Sequence, residues 1–360
     1  VTLRLSQSRV RRSLSHPVRN AQSQWSARDA SIITLESDDG ARGRGEVAPL
    51  PGFSPDSVAD CEQALNQLDL SDIPDRLAPG MALIGELSRA SSRLSPALRA
   101  ARAGVEAALL DLWARAAGQP AWALLPGAAS APTSRRVASL LMGEPEDLCE
   151  QAVSARTRGV SAFKVKVGRA GLLERELAAV ARLRAELGAR VELRLDANRA
   201  WSAAEARLNL TRFAQAMPEF IEEPCAFSEL AALTPSPIPL ALDESLAELH
   251  VEHIAPAELA RLGVRCVILK PTLLGGFSAC YAWAALARAI GAPVILSHAF
   301  EGPLGLAASA ALALSIGSES AAHGLDLQGA RLEHLDLPYF AAGEIRAWSA
   351  PGFGDWELEA

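Results

Sequence analysis

From Val137 onward the chain repeats one pattern: a short apolar run ending in or beside charge, then a stretch of helical periodicity. The runs are Val137–Leu141, Phe163–Val167, Val191–Asp196, Glu219–Glu222, Pro239–Asp243, Cys266–Lys270 and Pro293–Ser297, with an eighth near Ala322–Leu325. Their ends recur roughly every 27 residues, the repeat expected of βα units. Leu172–Leu187, Ala203–Ala216 and Ser278–Ile290, lying between them, carry apolar residues at helical spacing. Eight such units predict an α/β fold closed into a barrel. A doubly wound open sheet is the competing architecture, and it gives no reason for eight repeats.

The first part of the chain has another texture. Residues 1–47 hold short alternating segments such as Ser31-Ile-Ile-Thr-Leu-Glu36, broken by Asp39-Gly40, which predict antiparallel strands. Residues 55–118 turn helical, as in Ser95–Ala117. A barrel plus a smaller partner fits 360 residues. Residues 1–28 contain six arginines and no acid before Asp29, faintly like a transit peptide, but the alternation of Val1-Thr2-Leu3-Arg4-Leu5 favours a strand.

A net charge of −7 argues against nucleic acid as a partner, since phosphate binding needs a basic surface. The five cysteines are scattered with no C-x-x-C pair, which fits a reducing cytoplasm better than a disulfide framework. His250 and His253 form a lone H-x-x-H with no partner cluster, which argues against a metal site there. The longest apolar stretch, Leu304–Ile316, is too short to span a membrane and predicts a buried helix.

The charges at the strand ends carry the chemistry. An apolar strand aimed into a barrel holds charge only where the charge has a use, and barrel sites form at strand C-terminal ends. Run two ends Lys164-Val165-Lys166, whose period of two puts both ammonium groups on one side. Runs three, four and five end with Asp196, Glu222 and Asp243, and run six with Lys270. In an eight-stranded barrel, strands two and six stand on opposite walls, with the carboxylates on the arc between. Three clustered carboxylates repel one another unless a cation sits among them. Oxygen donors without thiolate or imidazole suit magnesium, with manganese as a substitute. A metal-held carboxylate acidifies its α-proton, and a second ammonium beside Lys166 favours its neutral, basic form.

Lys164-x-Lys166, the Asp196, Glu222 and Asp243 series and Lys270 resemble the lysine barrels of the enolase superfamily, of the muconate-cycloisomerase-like kind. Within it, Arg44–Ser54 (RGEVAPLPGFS), Phe163–Gly168, Leu193–Trp201 (LRLDANRAW), Glu222–Cys225 and Asp243–Leu246 resemble the o-succinylbenzoate synthase family of menaquinone biosynthesis. The resemblance implies a (β/α)7β modified TIM barrel with an α+β capping domain built from the N-terminal region and the C-terminal tail. Expected boundaries are 1–105 for the cap, 106–325 for the barrel and 326–360 for the segment returning to the cap. It implies a lyase that dehydrates 2-succinyl-6-hydroxy-2,4-cyclohexadiene-1-carboxylate to 2-succinylbenzoate. Lys166 would take the α-proton and then protonate the departing hydroxyl on the same face. Lys270 would stabilise the enediolate, Lys164 would tune Lys166, and Asp196, Glu222 and Asp243 would ligate magnesium. Strand alternation turns Glu223 away, into an ion pair.

Ser297 and the loop His298–Gly305 are expected to meet substrate, although this loop departs from the serine-rich version of some family members. Asn198, on the Asp196 side of its strand, is expected to support the site from behind its ligands or to meet substrate. Pro49–Ser54, with Phe53, is expected to form a lid, the alternative being a rigid turn. Gly43-Arg44-Gly45 reads as hairpin chemistry and Gly275-Gly276 as a helix-start turn. Two outcomes share the first step: dehydration, or racemisation of N-acylamino acids or epimerisation of dipeptides with Lys166 and Lys270 as opposed acid and base. A non-catalytic carboxylate-binding barrel is a third reading, disfavoured because every charged position is intact. The expected partner is a small-molecule carboxylate; the oligomeric state is not legible.

Overall fold

A computed structural model describes residues 3–19, 24–128, 134–327 and 337–354. Val1 and Thr2 of the expected first strand, and 328–336 and 355–360 of the expected C-terminal segment, lie outside the described residues.

The alternating N-terminal segments pair as an antiparallel sheet of β1 (Arg4–Arg19), β2 (Gln24–Glu36) and β3 (Arg42–Val47). Ile33 and Leu35, two apart on β2, are fully buried, as period two requires. Helices α1 (Val58–Leu65), α2 (Met81–Ser91) and α3 (Arg99–Ala116) follow. A capping box starts α1: Asp60 N–H donates to the Ser57 hydroxyl, and Ser57 N–H to the Asp60 carboxylate. Almost every side of α3 is buried, because it lies directly on β3. A Cβ at Gly45 would fall 2.1 Å from the Gly104 carbonyl oxygen, and one at Gly43 2.2 Å from that of Ala108. Gly43-Arg44-Gly45 is therefore mid-strand, not hairpin; its glycines admit a helix backbone.

After α4 (Ala121–Leu124) and β4 (Ser134–Arg136) the barrel begins. Its strands are β5 (Ala138–Leu141), β6 (Ala162–Lys166), β7 (Glu192–Asp196), β8 (Phe220–Glu222), β9 (Leu240–Leu242), β10 (Val264–Leu269) and β11 (Val294–Leu296). They lie parallel in chain order, each beside the next. Outside run α5 (Leu148–Thr157), α6 (Leu173–Leu187), α7 (Ala203–Phe213), α8 (Glu244–Glu248), α9 (Pro256–Arg261), α10 (Pro271–Leu274), α11 (Phe277–Ala289) and α12 (Pro303–Ser315). The apolar run at Leu304 is the buried helix α12, and Gly276 is the N-cap of α11, both as expected.

The eighth unit is reduced to two parallel bridges, Val137 to His323 and Ser297 to Gly324, which join the sheet's two edges. The fold is thus a (β/α)7β barrel. The tail returns to the cap: β12 (Phe340–Ala341) and β13 (Glu344–Arg346) extend β4. Beyond them Phe353 N–H donates to Asp111 on α3 at 2.8 Å, and Trp122 Nε1 donates to the Trp348 carbonyl at 2.8 Å. Over the strand C-terminal ends, cap residues Leu14, Val18 and Leu50 pack with Met142, Leu273, Ala299 and Phe300 in one apolar cluster.

His323 holds the seam. Leu296 N–H donates to its Nδ1 at 3.0 Å, which requires that nitrogen unprotonated. Burial, with Arg194 and Arg135 adding to it, lowers its pKa from 6.5 to about 3. The unfolded chain therefore binds this proton at a higher pH than the folded one. This residue's contribution to stability is full above pH 6.5 and falls by about 1.4 kcal/mol per unit as pH drops below it. Urea denaturation from about pH 7 to about pH 5 should show this slope, reduced in His323→Gln. An unchanged slope in the variant would contradict it.

Candidate active site

Lys164 pairs with Arg194, and Lys166 with Asp196, in the parallel ladder of β6 and β7; Asp196 pairs with Glu222 on β8. This register brings the strand-end charges to one level. Carboxylate oxygens of Asp196, Glu222 and Asp243 lie within 4.8 Å of one another, all buried, forming the one such acidic group among the described residues. Lys164 Nζ sits between two of them, 2.8 Å from Asp196 and in ion-pair contact with Glu222. Lys270, from β10 across the barrel, is paired with Asp243. Lys166 Nζ is 3.4 Å from Asp196 and donates to Asn198 Oδ1 at 2.5 Å. Three ammonium groups thus face three carboxylates.

The electrostatics follow from that packing. Burial alone would lower the Lys164 pKa, but Asp196, Glu222 and Asp243 outweigh it and hold it well above the usual lysine range. Lys270 is likewise raised, with Asp243 overcoming burial. Burial would raise Asp196, yet Lys164, Lys166 and Lys270 pull it below the usual range. Glu222 is pushed up to about 7, by burial first and then by Asp196 and Asp243 against the pull of Lys164. Glu244 rises to about 8 by burial beside Asp243 and Asp196. Two carboxyls so raised mark a cluster short of positive charge. Hard oxygen donors in such a cluster can hold a divalent cation.

Asn198 is a hinge between groups. Its Oδ1 accepts from Lys166, and its Nδ2 donates to Glu244 Oε1 at 2.5 Å. Alternation placed Asn198 on the Asp196 side of a strand; the strand has in fact ended, and Asn198 reaches Lys166 from a left-handed turn with φ 43°. Glu223 also adopts positive φ, 42°. Such conformations cost of order 1–3 kcal/mol each and persist where surroundings enforce them. Glu223 points away from the cluster, as alternation predicted. It accepts from Asp243 N–H, Ser245 N–H, Ser245 Oγ and Arg199 Nε, at 2.8, 3.0, 2.7 and 2.9 Å. It thereby anchors the backbone of Asp243.

Lys164, Lys166, Asp196, Glu222, Lys270 and Ser297 line one cavity, together with apolar Leu140, Ile268, Ile295 and Phe300 and with His298. Ser297 Oγ donates to the Gly324 carbonyl across the seam at 3.3 Å. Phe53 is not among these lining residues. It packs 6.1 Å from Trp25 at the edge of the apolar cluster that includes Phe300. The segment around it is a tight turn, with Phe53 and Ser54 N–H donating to the Leu50 carbonyl. His250 and His253 lie on the exterior with ring centroids 5.6 Å apart and tilted, and neither belongs to the acidic cluster. Sequence reasoning passed over Glu244, because the chain turns into α8 at Asp243 and alternation no longer applies. It reached His298 and Phe300 only as parts of a loop.

The fold and cluster define a capped α/β barrel whose strand ends gather three lysines around a buried acidic triad able to hold a metal ion. The model of the mandelate racemase / muconate lactonizing enzyme N-terminal domain matches residues 4–126, and that of the enolase C-terminal domain-like family residues 147–355. The chain is 32% identical over 295 residues to an o-succinylbenzoate synthase of Enterobacter sp. (strain 638), covering 79% of each. It is 27% identical over 319 residues to the L-Ala-D/L-Glu epimerase of Bacillus subtilis, covering 87% of this chain and 85% of that one. The muconate lactonizing enzyme of Pseudomonas fluorescens, complexed with muconolactone, superposes with a TM-score of 0.82 at 26% identity, covering 98% and 95%. The chain belongs to the mandelate racemase / muconate lactonizing enzyme family of the enolase superfamily.

Because Glu223 fixes the Asp243 backbone, Glu223→Ala should weaken divalent-cation affinity about 10- to 100-fold. Titration of the protein with Mn2+, followed by electron paramagnetic resonance, measures it. Unaltered affinity would show that Asp243 needs no such anchor.

Proposed function

We propose that this protein is an o-succinylbenzoate synthase, a lyase that dehydrates the cyclohexadiene carboxylate to 2-succinylbenzoate in menaquinone biosynthesis. The likeness to synthases of Enterobacter and Desulfotalea psychrophila, 32% identical in each case, carries the choice of this reaction. The arrangement of lysines supports its first step. On this reading Asp196, Glu222 and Asp243 hold Mg2+, for which Mn2+ can substitute. The cation supplies charge stabilisation to the substrate carboxylate as its α-carbon loses a proton.

The chain's own groups do the rest. Lys166 Nζ takes the α-proton, and Asn198 holds that nitrogen in place. That nitrogen meets one carboxylate, Asp196, and the neutral amide of Asn198, whereas Lys164 is locked between two carboxylates. Lys164, held charged between Asp196 and Glu222, lies on the same side of β6 as Lys166. Lys270 faces the substrate from the opposite wall and stabilises the negative charge that develops. Lys166 then gives its proton to the departing hydroxyl on the face from which it came. Leu140, Ile268, Ile295 and Phe300 pack the apolar ring and exclude water, and Ser297 offers a hydroxyl to a substrate oxygen. We also read residues 1–105 as the cap, 106–325 as the barrel and 326–360 as the returning segment. No helix among the described residues is long and apolar enough to cross a membrane. The free thiols fit a reducing cytoplasm.

A second reading, epimerisation of dipeptides or racemisation of N-acylamino acids, is favoured by the likeness to the Bacillus subtilis epimerase. There Lys166 and Lys270 would act as opposed acid and base.

Purified protein with Mg2+ should convert the cyclohexadiene acid to the aromatic product, followed by ultraviolet absorbance. Racemisation without aromatisation would sink the first reading. Lys166→Ala should lower kcat about 10²- to 10⁴-fold, and undiminished turnover would remove Lys166 from the mechanism. Asp243→Asn should weaken Mg2+ binding and activity together, and activity surviving excess chelator would contradict the metal's role.

A further inference from the structure

One set of charges, half-buried at Arg12 and buried at Arg28, Glu46 and Glu301, takes no part in this chemistry. Arg12 and Arg28 stand opposite each other in the β1–β2 ladder and reach out of the cap to the loop after β11. Arg12 Nη2 donates to the carbonyls of Phe300 and Glu301, each at 2.8 Å. Arg28 Nε donates to the same Phe300 carbonyl at 3.3 Å, while its Nη1 and Nη2 are tied to the Pro49 and Ala48 carbonyls. Glu46, on β3 of the same sheet, accepts from Gly302 N–H at 2.6 Å and Gly305 N–H at 3.0 Å, at the start of α12. Glu301 folds back onto Ala299 N–H at 2.6 Å. Two guanidiniums and two carboxylates balance one another around one loop.

That loop is held in a conformation it would not choose alone. Phe300 has φ 58°, a left-handed geometry that bulky side chains avoid. Its ring lines the cavity beside His298, edge-on at 4.9 Å, and its N–H donates to His298 Nδ1 at 3.2 Å. The carbonyl of this residue receives hydrogen bonds from both guanidiniums, so the peptide that orients the ring is fixed from the cap.

We propose that Arg12 and Arg28 are positioning residues of the substrate site: by clamping the Phe300 carbonyl they hold Phe300 and His298 as its wall, and so decide which side group of a carboxylate substrate the cavity accepts. This rests on reading the cavity as the place where that substrate is turned over. The clamp acts on substrate binding and lies outside the carboxylate–lysine cluster, so the two can be separated by experiment.

Arg12→Met removes the one nitrogen, Nη2, that bridges the Phe300 and Glu301 carbonyls; Arg28→Met removes the second donor to Phe300. In each folded variant KM should rise about tenfold or more, with kcat and Mn2+ affinity little changed. Amide hydrogen exchange at 298–302, read without substrate, should quicken while the barrel strands keep their protection. An unchanged KM in folded Arg12→Met overturns the proposal. So does a parallel loss of kcat, Mn2+ affinity and thermal stability, which a merely structural role would give. Should the unaltered protein epimerise dipeptides instead of dehydrating the cyclohexadiene acid, the dehydratase reading falls alone. The KM comparison is then made on the dipeptide, and the exchange measurement stands as it is.

Discussion

The compensation of three buried carboxylates by three lysines is the interaction on which the rest of the molecule turns. Asp196, Glu222 and Asp243 are each almost wholly buried, and so close together that any one of them unpaired would be a heavy penalty. The lysines reduce that penalty without removing it, as the raised pKa values of Glu222 and Glu244 attest. Strand lengths and ladder register bring charges from five different strands to one level. The parallel pairing of Lys166 with Asp196 and of Asp196 with Glu222 does this for three of those strands.

A barrel alone leaves that cluster open at the strand C-terminal ends. The N-terminal sheet covers it in two ways: an apolar cluster joining Leu14, Val18 and Leu50 to the barrel loops, and the charges of Arg12, Arg28 and Glu46 around the loop after β11. The returning tail then docks on the long helix α3, Phe353 N–H donating to Asp111 and Arg115 to the Gly354 carbonyl. The cluster and its cover are therefore assembled from both ends of the chain.

Much of this was legible in the sequence because period two is a strict rule. Lys164 and Lys166 had to share a side, Glu223 had to turn from Glu222, and seven runs with intervening helical spacing had to be βα units. The rule stopped where strands stopped. Asn198 and Glu244 lie just past strand ends, in a left-handed turn and a helix start, and local spacing says nothing of where they point. The partners of Arg12 are 288 and 289 residues away, a distance across which no periodicity carries. The glycines of β3 were taken for a turn since the composition of a hairpin and of a helix contact is the same; only the presence of α3 distinguishes them. The eighth unit was visible as a short apolar run but not as a seam of two bridges.

The near-contact of α3 with β3 has a consequence for how the entrance can open. With Gly43 and Gly45 leaving no side-chain layer between strand and helix, backbone meets backbone. Such surfaces interlock and cannot slide by small rotamer changes. The cap sheet and its long helix are then one lever. Any motion over the barrel mouth therefore carries sheet and helix together, and a side chain at either glycine would force the two apart.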